Sequence, residues 1–180
     1  MAKINRILTA IENALGVVAA LMMLVIMLLI VLDVALRYFL RAPLGWSYDF
    51  ISHYLMAGLF FFSMSATLQH EEHVRVDVLL KHFSPAMRHL AEFATYLTAS
   101  IVFGAIVWIA LDKAILSFQA NEVASGVIPW PTWMSIALVP IGAGVLLLRM
   151  VYRLMGHALS LATRTSRIEL PRITGAEEAI

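Results

Sequence analysis

Two histidines flank two glutamates near the centre of the chain, His70-Glu71-Glu72-His73, and His82 and His89 follow within residues 69–89. Four of the six histidines thus fall in one charge-bearing segment, which raises the question of a metal centre. A hydrolytic zinc site of this kind needs histidines four apart on one helical face, with the glutamate beside the first acting as base. Here the pair is three apart and no third ligand is evident, while His82 and His89, seven apart, are too distant to share one ion without special folding. The spacing argues against metal, and a wet polar loop accounts for the same residues. The chain contains no cysteine, which excludes disulfides, thiolate metal sites, redox pairs and a cysteine nucleophile.

The elements around that segment explain its setting. Of 180 residues, 61% are apolar and 14% charged, a balance shifted from that of soluble domains towards membrane proteins. A formal net charge of +1, with no Lys/Arg-rich run, gives no case for nucleic acid. Residues 14–32 form an uncharged run of about 28 Å as a helix, close to the roughly 30 Å of a bilayer core. Lys3 and Arg6 precede it, but the run exceeds a typical signal-peptide core and no A-x-A-like cleavage site follows, so a retained signal anchor is expected.

With three more apolar stretches the spans number four, at about 14–36, 48–68, 86–112 and 127–150, in one transmembrane domain of residues 1–155 with a tail at 156–180. Helicity is expected to continue into the tail as far as about Thr163. Asp33 and Arg37, four apart, can neutralise one another on one helical face. Pro43, Leu44 and Gly45 make a turn, and Ser47 is placed to cap the next helix. Ser84-Pro85 suits the start of the third helix, and Pro140 should kink the fourth unless its neighbours re-satisfy the backbone. Tyr38, Trp46 and Tyr48 suit the membrane interface.

Ten Lys and Arg fall on the side of the termini and the central segment and three on the other, so both termini are expected in the cytoplasm. The fold class expected is an all-α membrane protein, four transmembrane helices arranged as two hairpins joined by a cytoplasmic amphipathic segment. In that segment Val76, Leu79, Leu80 and Phe83 share one helical face, which suits a short helix on the membrane surface. The alternating residues 74–78 would also suit a strand, but no partner strand is visible.

His53 is the only histidine inside a span. An intramembrane ionisable group is a functional candidate, but its place near the span's outer end favours a hydrogen-bonded structural role. Haem between helices would want paired intramembrane histidines, and none is evident. Asp33, Asp49, Glu92 and Asp112 all sit at span ends, whereas a chain moving ions by itself usually needs such a group at mid-depth. No nucleophile, base and metal set converges, so an enzyme is not expected and no cofactor is called for.

Arg37-Tyr38 closes the first span, Trp46 is followed three residues later by Asp49, His73-Val74-Arg75-Val76-Asp77 follows the second span, and Pro140-Ile141-Gly142 lies in the last. In this order and spacing they resemble the small membrane subunit (DctQ-like, or Q subunit) of tripartite ATP-independent periplasmic (TRAP) transporters. The resemblance covers roughly residues 14–155. It departs at Asp49, where glutamate is more usual. The length looks like that of a separate small subunit.

The resemblance implies a non-catalytic scaffold in the bacterial inner membrane, within a secondary transporter for organic acids of C4-dicarboxylate or sialic acid type. Its implied partners are a large multi-span membrane subunit, which holds the substrate and ion sites, and a periplasmic substrate-binding protein, besides membrane lipid. On that basis Arg37, Tyr38, Arg41, Trp46, Asp49 and Glu122, with the loop 121–130, form the suspected docking face. Arg37 and Trp46 fit the role of ordinary interface anchors equally well. His73, Arg75, Asp77, Leu79 and Phe83 are the suspected hinge or subunit contact. The rival reading is a self-contained homo-oligomeric channel or carrier, with four short-looped spans lining a pore.

Overall fold

The structure, a computed structural model, describes residues 2–69 and 85–163. These form α1 (Ala2–Phe39), α2 (Ser47–Phe50), a π-helical turn (Ile51–Leu55), α3 (Met56–Gln69), α4 (Pro85–Gln119) and α5 (Thr132–Thr163). The protein is an all-α membrane protein with four helical segments long and apolar enough to cross a bilayer, α2 to α3 counting as one. Among the described residues the only β-pairing is the isolated bridge between Val123 and Pro131.

The helices overrun the uncharged stretches that announce them. The first candidate span runs Ile4–Phe39, the third Met87–Gln119 and the last Thr132–Ser160. The last helix begins at Thr132, not near 127, because Pro129 and Pro131 cannot donate to a helical ladder and the chain there folds back on itself. It continues past 155 to Thr163, so the start of the expected tail is part of the bundle. Pro140 lies inside this unbroken helix. Ser47 does not act as the expected cap: Trp46 holds the N-cap position, and the Ser47 hydroxyl donates back to the Leu44 carbonyl at 2.8 Å, tightening the turn.

Packing follows the order α1, α3, α5, α4. Both α3 and α4 pack on α5 while scarcely touching each other, and α1 packs mainly on α3. Gly142 makes the α3–α5 crossing close: a Cβ there would stand 2.5 Å from the Phe61 carbonyl oxygen. A small apolar core of Leu68, Tyr96, Leu146 and Met150 joins α3, α4 and α5. Many other apolar side chains point outward, among them Leu28, Val31, Ile101, Trp108 and Ile109. Only 6% of the most apolar stretch of α1 is buried within the chain, so that helix must be covered by lipid or by protein.

Candidate functional site

The suspected docking residues lie together at one end of the bundle. Asp33 accepts from Arg37 Nη2 at 2.8 Å, the pairing its four-residue spacing implies, and its other oxygen accepts the Leu44 N–H at 2.7 Å. One carboxylate thereby holds the α1–α2 loop against the helix it leaves. Arg41 takes a left-handed conformation (φ 53°) to turn that loop and leaves its guanidinium exposed. Tyr38 points outward, 84% exposed.

The loop between α4 and α5 closes over this end. α4 ends at Gln119 and is closed by Asn121, φ 49°, with Glu122 N–H bonded to Ser117 O at 3.1 Å and Asn121 N–H to Phe118 O at 3.3 Å. This is the Schellman arrangement, with asparagine in the position glycine often takes. The Ser117 hydroxyl donates to the Glu122 carboxylate and ties the same turn from its side chain. Ala124 N–H to Trp130 O at 2.8 Å and Thr132 N–H to Glu122 O at 3.0 Å pinch the loop shut.

Aromatic packing joins the two loops. Phe50 stacks on Tyr54 with ring centroids 5.7 Å apart, Trp130 lies 5.3 Å from Phe50, and Trp46 meets Phe50 edge-on at 6.1 Å. The Tyr54 hydroxyl donates to the Pro131 carbonyl at 2.6 Å. The loop tip crosses the Asp49 side chain so closely that a Cβ on Gly126 would stand 2.5 Å from Oδ2 and would require the carboxylate to move. Asp49, Trp46 and the 121–130 loop therefore share one surface, with Arg37, Arg41 and Glu122 exposed around it. His53 sits in the π-helical turn and its Nδ1 bonds the Asp49 carbonyl at 2.9 Å, a local backbone contact of the kind expected from its position.

The opposite end carries a polar cluster that the sequence reading passed over. Glu12, fully buried, accepts from Arg149 Nε at 2.8 Å and 3.1 Å through its two oxygens, and from Arg149 Nη2. Arg149 also donates to Asn5 Oδ1 at 2.6 Å and Thr9 Oγ1 at 3.0 Å, and the Ser65 hydroxyl donates to Glu12 at 2.8 Å. Three helices thus meet on one ion pair whose charges are almost wholly desolvated. Such a pair is strong only where further hydrogen bonds fill the remaining donors and acceptors, and here three come from Asn5, Thr9 and Ser65.

One turn further, Arg153 donates to Tyr96 Oη at 3.0 Å and to the Leu68 carbonyl at 3.2 Å. His157 stacks on Tyr96 and its Nδ1 lies 3.1 Å from Nδ1 of His89, both rings buried. These contacts correct two expectations. His89 belongs to the interior instead of the wet face of residues 69–89, and a paired set of helix-borne histidines does exist. Its two facing nitrogens share one hydrogen bond, so one of them carries the proton and the other accepts it. Among the described residues, no group of three or more His, Asp or Glu is placed to hold a metal ion.

A spacing signal for this cluster was present: Asn5, Thr9 and Glu12 fall at i, i+4, i+7 on α1, and Arg149, Arg153 and His157 at i, i+4, i+8 on α5. Polar residues repeating with the helical period mark a face turned towards another helix. His73, Arg75, Asp77, Leu79 and Phe83, the suspected hinge contacts, lie outside the described residues, as do His70 and His82.

The bundle, its loop end and its ion-paired end can be set beside known families. A family model described as tripartite ATP-independent periplasmic transporters, DctQ component, matches residues 26–159. The chain belongs to the DctQ family. No curated protein matches it. The protein is therefore a small membrane component of a TRAP transporter, a family of transport proteins and not of enzymes. DctQ components work in general with a large membrane subunit and a substrate-binding protein. The match spans the loop end and the α5 side of the ion-paired end, including Arg149, Arg153 and His157, and begins after Asn5, Thr9 and Glu12 on α1.

Proposed function

We propose that this DctQ component is a scaffold that holds no transport site of its own, and that it packs an apolar face, chiefly that of α1, against the large subunit of a secondary transporter for organic acids. The observation that carries this reading is the exposure of α1. Val17, Leu21, Leu28 and Val31 are each more than half exposed although the helix is anchored at one end by the Glu12–Arg149 pair. A helix fixed in orientation by a buried ion pair presents a defined apolar surface, which is what a fixed membrane partner requires.

The ionisable groups support the same reading. Glu12 and Arg149 neutralise one another, and Asp33 is engaged by Arg37 and Leu44. In the orientation given by the loop charges, both termini and residues 69–89 face the cytoplasm of a bacterial inner membrane, with His73, Arg75, Asp77, Leu79 and Phe83 contacting the large subunit or placing the two halves of the bundle. The loop end then faces the periplasm. There Arg37, Tyr38, Arg41, Trp46, Asp49 and Glu122 surround a closed, hydrogen-bonded platform that helps dock the substrate-binding protein. The substrate class, a C4-dicarboxylate or a sialic acid, follows from the family resemblance alone.

Purification in mild detergent tests the scaffold reading: a large polytopic subunit should accompany the chain, and a pure homo-oligomer would favour the channel reading. Arg41→Glu tests docking, because that side chain is exposed. Uptake should fall while membrane levels of the complex stay constant; unchanged uptake would remove Arg41 from the docking face.

A further inference from the structure

Because α3 and α4 both rest on α5 without closing on each other, a groove opens between them with α5 as its floor. Its lip, near the loop end, carries Lys113, His53, Ser52 and Ser135, while Ile106, Ile109 and Val139 belong to its apolar length. On α4, Ile106, Ile109 and Lys113 recur at helical spacing, so the apolar trough runs about 10 Å along the helix from the lysine. The groove is therefore polar and cationic at one end and apolar along the rest.

Lys113 gives the groove its meaning. It is exposed, lies six residues inside the end of α4, and has no ion pair among the described residues. Asp112, its neighbour, projects about 100° away around the helix and does not face it. A lysine at this depth can extend its apolar stem along the helix and raise its ammonium to the headgroup level, where it needs an anion. His53 stands across the groove; because the Asp49 carbonyl can only accept, Nδ1–H donates to it, and Nε2 of that tautomer is an acceptor suited to a headgroup hydroxyl. Ser52 and Ser135 complete the polar lip above an apolar channel, the Ser135 hydroxyl donating to the Thr132 carbonyl at 2.9 Å and so able only to accept from a ligand.

We propose that this groove is a binding site for one anionic phospholipid, with its phosphate at Lys113, a headgroup hydroxyl at His53 Nε2, and one acyl chain along Ile109 and Ile106. The occupant follows from charge complementarity. An apolar helix from a protein partner would fill the trough but leave the ammonium without an anion, whereas a phospholipid supplies both parts in the same order along the membrane normal. The acyl chain gains little by leaving bulk lipid, because lipid tails are already apolar. Selection therefore rests on the headgroup, and one such lysine is worth about fivefold in preference for an anionic lipid. This site is independent of the scaffold and docking roles.

The absence of native cysteine allows a direct test. Val102→Cys, on the same face of α4 one turn below Ile106, carries a bimane fluorophore in the full chain, reconstituted in phosphatidylcholine vesicles. Brominated phosphatidylglycerol and brominated phosphatidylcholine are then titrated separately. The phosphatidylglycerol series should quench at about fivefold lower mole fraction. Lys113→Gln should bring the two curves together, and Lys113→Arg should restore the difference, with helical content unchanged in both. Coincident curves for the chain with Lys113 intact, or a preference that persists in Lys113→Gln, would overturn the proposal. So would loss of all lipid quenching once the large subunit is co-reconstituted, since the groove would then belong to a protein contact.

Discussion

The two ends of this bundle are held by different means. At the end bearing the N-terminus, α1, α3 and α5 meet on a desolvated ion pair, with Asn5, Thr9 and Ser65 filling its remaining valences. At the loop end the charges stay exposed, and closure comes from backbone hydrogen bonds, stacked rings and one glycine pressed on Asp49. The first arrangement fixes helices relative to one another and tolerates no missing partner. The second shapes a surface, around which Arg37, Arg41 and Glu122 are exposed. On the proposed docking role, stability and recognition would fall at opposite ends.

Breaking the ion pair is the largest expected effect. Glu12→Ala leaves Arg149 buried without its counter-charge and should destabilise the chain by about 3–5 kcal/mol, read as a shifted denaturation midpoint in detergent. The double variant Glu12→Leu with Arg149→Met should recover most of that loss, because the cost lies in the orphaned charge. Between the ends, Gly142→Ala pushes a methyl group into the Phe61 carbonyl and should cost about 1–3 kcal/mol by forcing α3 away from α5.

At the loop end the effects should be smaller and local. Tyr54→Phe removes the bond to the Pro131 carbonyl, worth about 1 kcal/mol, and should raise hydrogen exchange in residues 120–131 while leaving the global midpoint nearly unchanged. Arg37→Ala should change stability by about 0–1 kcal/mol, since its partner bond is largely solvent-exposed. If Arg37→Ala proved as damaging as Glu12→Ala, the division between the two ends would fail.

The same contrast explains what could be read from the sequence. The four helices were legible because uncharged runs of bilayer length have few other solutions in water or lipid. The Asp33–Arg37 pair was legible because four residues is a helical neighbour distance. The grouping of Trp46, Asp49 and residues 121–130 on one side of the membrane also came from the order of the spans.

The Glu12–Arg149 pair was not legible by those means. It joins residues 137 apart in sequence, and defining a span by its lack of charge trims away the very turns that carry a polar stripe. His89 was assigned to water for a similar reason: its neighbours in sequence are polar, whereas its neighbours in space are His157 and Tyr96 on packed helices. Ser47 misled in a different way, since its residue type suits capping but its position, one residue inside the helix, turns the hydroxyl back to Leu44.

The scaffold account is tested most directly by reconstituting this chain, its large membrane partner and the two together in liposomes, with the substrate-binding protein and an ion gradient supplied to each. The account predicts no uptake by this chain alone and full uptake only with both membrane subunits present. Uptake by this chain alone, in the absence of the large subunit, would contradict it.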